Sequence, residues 1–266
     1  MIAASLAIPV PMRSSLVSSL ALIVAAASPL HSQLAGAGAW ADSARREIAA
    51  AVAQNSAERL EGTVAMLDRA LAEHPGDGLL LHYKGYAYYR LATLASSRGH
   101  ERDAKSNLAA AGDALSRSAA KLQLPETLAL RSVVMGQQIG GNPFTAMRNG
   151  RRASSLMSQA LEAGPTNPRV WMLDGVFAMH TPSVFGGGLD RAESRLRRAI
   201  ALFESDHPAE PAPDWGRAEA YVWLGQVLEK QHKPDEARAT YARAIALSPN
   251  FEWPKRLAAA LGQGAQ

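Results

Sequence analysis

Small and large apolar side chains recur at three- and four-residue intervals over most of this sequence, the rhythm of helices with one buried face. The rhythm is clearest near the end, in "AEAYVWLGQVLEKQHKPDEARATYARAIALSPNF" (residues 218–251). With Ala218 as the first position, Tyr221 is fourth, Leu224 and Gly225 are seventh and eighth, and Leu228 is eleventh. Ala237, Tyr241 and Ala244 then occupy positions twenty, twenty-four and twenty-seven, and Pro249 is thirty-second. The spacing predicts two antiparallel helices. They can approach closely only where small residues meet at the crossing, here Gly225, Ala237 and Ala244, with Leu224 and Tyr241 filling the space beside them. Pro249 cannot continue the second helix and ends it.

The same spacing returns upstream in weaker form. Over 168–205 it is carried by Trp171, Gly175, Ala192, Leu196 and Ala199. Over 125–166 it is carried by Leu128, Ala153, Met157, Ala160 and Pro165. Over 78–121, Leu81, Gly85 and Tyr88 open the pattern, and Ala104, Leu108 and Ala111 are assigned to its second helix. The copy at 43–76 keeps Leu67, Ala70 and Pro75 behind a weak opening helix, Ala41–Asn55. A capping helix is expected over 254–262, with Pro254 in its first turn and Gly262 as its stop. The expectation is an all-α protein in which about five degenerate helical hairpins stack as a single solenoid over 40–266. The proline-rich Ser205–Trp215 is read as a long loop inside it, because the pattern resumes at once.

The residues of 218–251 resemble the tetratricopeptide repeat, whose pattern is an aromatic, then L-G and Y, then A-x3-F-x2-A and a proline. The resemblance implies a tetratricopeptide-like α-solenoid whose concave surface, lined by the first helix of each hairpin, binds another protein or peptide. Carried over by position, it selects His82, Tyr86, Tyr89 and Arg90 in the second copy. In the fourth it selects Met172, Val176, Met179 and His180, and in the fifth Gln226, Glu229 and Lys230. The Lys/Asn set with which some relatives clamp a C-terminal carboxylate is not at these positions.

The beginning of the chain is different material. No Asp, Glu, Lys or Arg occurs from Ser14 to Ala41, "LVSSLALIVAAASPL" is the most apolar run, Arg13 precedes it, and small residues follow at Ala25–Ala27 and Ala35–Ala37. This predicts a secretory signal peptide within 1–39 and export to a bacterial periplasm, with Met1 or Met12 as the start. An uncleaved N-terminal membrane tether is the alternative.

Composition narrows the chemistry. A net charge of +4 lacks the strong basic excess of a nucleic-acid binder. With no cysteine, disulfides, thiolate zinc sites, a thiol nucleophile and a lipidated N-terminal cysteine are excluded. The seven histidines form no metal-binding helix pattern, and no G-x-S-x-G elbow occurs. The triple glycine of "HTPSVFGGGLDRAESRLRR" fits neither a phosphate loop nor a dinucleotide fingerprint, so it is read as a turn. No catalytic residue, metal or cofactor is assigned. Arg191, Arg195 and Arg198 form a basic stripe, a solvated face or a patch for an acidic partner, and "RNGRR" at 148–152 is a second cluster.

A narrower resemblance rests on "TPSVFGGG" followed by A-x3-L-x2-A, and on "GQQIGGNPF". These are similar to bacterial envelope proteins built from cryptic repeats, among them the T-component proteins of tripartite ATP-independent periplasmic transporters. That resemblance implies a non-catalytic protein that docks a substrate-binding protein or holds a small hydrophobic ligand, in some cases as an oligomer. Without a cysteine to acylate, membrane tethering stays open. Two roles stand: a scaffold whose concave face binds another envelope protein, and a carrier whose loops after Met135 and Met179 cover a pocket near Met172 and Met179.

Overall fold

Ser56, Asp77 and Asn167 each turn a side-chain oxygen back onto the first free backbone N–H groups of the helix that follows, and so fix where that helix begins. Pro125 and Pro234 start others, and Pro168 follows Asn167, at the one position where a missing N–H costs nothing. The computed structural model describes residues 38–138 and 143–263. The expected export segment up to residue 37 and the middle of "GQQIGGNPF" lie outside the described residues. Among the described residues there are eleven α-helices. They pair as α1 (Gly38–Gln54) with α2 (Ala57–Glu73), α3 (Gly78–Ser97) with α4 (Glu101–Ala119), and α5 (Pro125–Gln137) with α6 (Pro143–Ala163). Next come α7 (Pro168–His180) with α8 (Leu189–Phe203), and α9 (Arg217–Lys230) with α10 (Pro234–Leu247); α11 (Glu252–Gln263) caps the stack. Among the described residues there is no strand, and no helix is long and apolar enough to cross a membrane.

One apolar core runs through all five hairpins. Its pitch is set where the helices of each hairpin cross. A β-carbon on Gly85 would stand 2.5 Å from Cγ of Leu115, and one on Gly175 would stand 2.6 Å from Cγ of Leu196. At Gly225 the Tyr241 ring is closer still. The third hairpin has Ser132 at this place, its hydroxyl donating to the Ala153 carbonyl at 2.7 Å. Pro75, Pro165 and Pro249 fall just past the ends of α2, α6 and α10.

The second hairpin corrects the register assigned above. Gly85 meets Leu115, so the crossing uses Ala111, Leu115 and Ser118, not Ala104, Leu108 and Ala111. Ser118 confirms the pairing by donating to the Gly78 carbonyl at 2.7 Å. The assignment slipped by seven residues because Ala104, Leu108 and Ala111 meet A-x3-L-x2-A in full and are also buried, whereas the actual crossing carries Ser118 in place of the last alanine. As a result α3 and α4, at 20 and 19 residues, extend about two turns beyond the crossing.

Adding a methyl group at the crossing is expected to destabilise. Gly225→Ala should lower unfolding free energy by about 1–3 kcal/mol in urea titrations, because Tyr241 leaves it no room. Gly62→Ala, facing open space on α2, should instead stabilise by up to about 1 kcal/mol.

Candidate functional site

The hairpins do not trail off as an open solenoid. The loop between α8 and α9 crosses back to the first and second hairpins. Arg45 on α1 bonds Asp42 on its own helix, Glu210 at 2.7 Å, and Asp214. The Tyr83 hydroxyl donates to the Pro211 carbonyl at 2.7 Å. The Tyr86 ring stacks on Trp215, with centroids 4.3 Å apart and planes 18° apart. Arg90 is ion-paired with Glu219 in the interior, and the Tyr86 hydroxyl donates to the same carboxylate at 3.2 Å. Burial, and then the neighbouring Glu219, push the Tyr86 hydroxyl pKa far up, so it remains a donor. At the other end α11 returns to α1.

This closure leaves a cleft of about 1430 Å³ on the side where first helices turn into second helices. One wall is aromatic. His180 lies edge-on to Trp223 at 6.5 Å, Trp223 to Trp253 at 5.0 Å, and Trp253 to Phe251 at 6.2 Å. Phe177 and Phe185 continue it across the fourth hairpin. The facing wall is the overhang of the second hairpin, from Thr93 on α3 to Leu108 on α4. The floor holds Arg90, Val133 and Gln226, and the Gln226 amide nitrogen is buried without a partner. Lys105, Arg151 and Arg256 reach in from the rim.

The positions carried over from the repeat pattern divide accordingly. Arg90, Val176, His180 and Gln226 line the cleft. The others do not. His82 is fully buried, its Nδ1 2.8 Å from the Thr127 hydroxyl. Burial, reinforced by the charge of Arg169, depresses its pKa to about 3 and keeps it neutral. Tyr86 and Tyr89 are buried in the packing between hairpins. Met172 is buried against Gly216, and Met179 is half-buried against the core. Glu229 accepts from the Tyr241 hydroxyl at 2.5 Å, and Lys230 is exposed outside the cleft. The expected pocket at Met172 and Met179 is therefore displaced to Phe177, His180 and Phe185. The repeat pattern places these side chains on an inner face but does not say which inner faces touch each other.

The triple glycine is a turn. Gly186 and Gly188 take φ of +83° and +108°, and a β-carbon on Gly187 would collide with the Thr181 carbonyl. Gly188 N–H donates to the Ala178 carbonyl at 2.9 Å, tying the turn to α7. It lifts Val184 and Phe185 into solvent at the cleft mouth, 83% and 73% exposed. The basic stripe is partly engaged. Arg195 pairs with Asp174 at 2.9 Å, and the guanidinium groups of Arg195 and Arg198 lie 4.8 and 4.7 Å from the Trp171 ring centre. Arg191 remains exposed. Burial raises the Asp174 pKa, opposed by Arg195 and Arg191.

Glu219→Ala leaves Arg90 buried without its counter-charge and should cost about 3–5 kcal/mol of stability. Unfolding monitored by Trp fluorescence checks the magnitude, and hydrogen exchange should show loosening at both α3 and the 204–216 loop.

Comparison with known proteins follows the same lines. The tetratricopeptide repeat family matches residues 218–251. No curated protein matches. Among solved structures the chain is similar to the HusA haemophore from Porphyromonas gingivalis, with a TM-score of 0.57 and 25% identity over 73% of this chain and 95% of that one. It is also similar to a thermophilic tetratricopeptide protein of Thermus thermophilus, with a TM-score of 0.52 and 20% identity over 82% of this chain and 98% of that one. The fold suggests a protein–protein interaction module. With a matched repeat at 218–251 and similar hairpins stacked before it, the chain is an all-α solenoid similar to tetratricopeptide-repeat proteins.

Proposed function

We propose that the chain is an exported, non-catalytic binding protein that holds a bulky apolar ligand in its concave cleft. The carrying observation is the aromatic wall of Trp223, Trp253, Phe251 and Phe177 around a space of about 1430 Å³. Small-molecule pockets span roughly 300–1,000 Å³, so a large ring system fits with the mouth still open. Similarity to a haemophore along 95% of that protein makes a tetrapyrrole the leading occupant. His82, Tyr83 and Tyr86, all strongly displaced by burial, are held in packed contacts away from the cleft, where among the lining residues burial lowers the pKa of His180. The charge-free stretch 14–41 supports export to the periplasm.

Docking of another envelope protein is a second reading, favoured by the fold and by Val184 and Phe185, which stand out at the cleft mouth where a partner could cover them. A carrier that hands its cargo to such a partner would use both features.

Titration with the neutral probe N-phenyl-1-naphthylamine should give a blue-shifted, saturable signal with quenching of Trp fluorescence. Replacing Trp223 and Trp253 together by Ala should weaken it at least tenfold while circular dichroism stays helical. A non-saturable signal sinks the carrier reading. Deleting Met1–Ala27 should leave a folded protein in the cytoplasm; continued export refutes the leader assignment.

A further inference from the structure

The cleft is not evenly apolar. Lys105 on α4, Arg151 on α6 and Arg256 on α11 all line it, and none has a carboxylate partner within 4.0 Å among the described residues. Most other arginines near the interior are paired: Arg45 with Asp42, Glu210 and Asp214, Arg90 with Glu219, Arg169 with Glu126 and Asp206, and Arg195 with Asp174. Against the three cations the cleft presents one carboxylate lining residue, Glu101. On the floor, the Gln226 amide offers a buried N–H donor with no acceptor.

Lys105 and Arg151 sit on the second helices of consecutive hairpins, so their charges share one side of the opening, while Arg256 comes from the capping helix beside Trp253. A concave low-dielectric surface focuses such charges onto whatever enters it. Apolar rings on one wall and unneutralised cations at the rim define an amphipathic occupant.

Resting on the carrier reading above, we propose that the cleft selects an apolar ring-bearing ligand carrying carboxylates, with the ring against Trp223, Trp253 and Phe177 and the carboxylates at Lys105, Arg151 and Arg256. Charge, not shape alone, then decides which of two otherwise identical ligands is held. The exposed positions of the three cations keep them out of the packing, so neutralising them leaves the fold intact.

The test compares protoporphyrin IX, a dicarboxylate, with its dimethyl ester, the same ring without charge, on the full folded chain. The diacid should bind at least tenfold tighter at 50 mM salt, and the margin should shrink at 500 mM. The triple variant Lys105→Gln, Arg151→Gln, Arg256→Gln should erase the margin while leaving ester affinity within about twofold. Equal binding of diacid and ester to the unaltered protein overturns the proposal and leaves the apolar carrier standing. So does a margin that the triple variant retains. Binding of neither porphyrin overturns the carrier reading and the proposal with it. An acidic amphipathic peptide serves as third titrant: tighter binding than the diacid, with the same charge dependence, would assign the cleft to a protein segment and overturn the small-ligand proposal.

Discussion

The architecture depends on how closely two helices approach within one hairpin. At Gly85, Gly175 and Gly225 the partner side chain occupies the space a β-carbon would take, and Ser132 answers the same need with a hydroxyl bonded across the gap. A close crossing brings the large neighbours Leu115, Leu196 and Tyr241 into full burial and fixes the angle at which the next hairpin must stack. Because the second to fifth hairpins repeat the same crossing, the angles add in one sense and the stack curves.

Curvature alone gives an open groove. What turns it into a cleft is a set of polar contacts that cross from the fifth hairpin to the first two. A buried pair such as Arg90–Glu219 is costly to desolvate, and its net contribution to stability is small. Its effect is geometric: two charges that cannot be left unpaired hold α3 and α9 in one relation. The stacked rings of Tyr86 and Trp215 and the Tyr83–Pro211 hydrogen bond act at the same joint. A stretch whose sequence reads as an inert proline-rich spacer is therefore what closes the molecule.

The closure also redistributes roles among residues. Tyrosines on the inner face of α3, which in an open array would meet a partner, meet the chain's own fifth hairpin. The open space lies at the rim, where the overhang of the second hairpin, the glycine turn after α7 and the capping helix surround it. The ring-bearing wall draws on the fourth and fifth hairpins and the capping helix, and the cations on the second and third hairpins and that same helix, so neither is a motif in any one segment.

Local pattern determined the class of structure, the number of hairpins, and the ends of most helices, because each of these depends on residues within about 35 positions of one another. Pro165 and Pro249 stop helices, Asn167 starts one, and Gly225 invites a crossing whatever the rest of the chain does. The same local information pointed to Leu108 rather than Leu115, since Ala104 and Ala111 flank Leu108 as the pattern asks while Ser118 replaces an alanine at the true register, and only the Gly85 contact selects between them. Nor could it show that Glu219 reaches Arg90, 129 residues away, or that Trp253 stands beside Trp223. Those contacts follow from the summed curvature of five hairpins, a global quantity to which every crossing angle contributes. The fold was therefore readable from the sequence, while the cleft and the residues that line it were decided by tertiary closure.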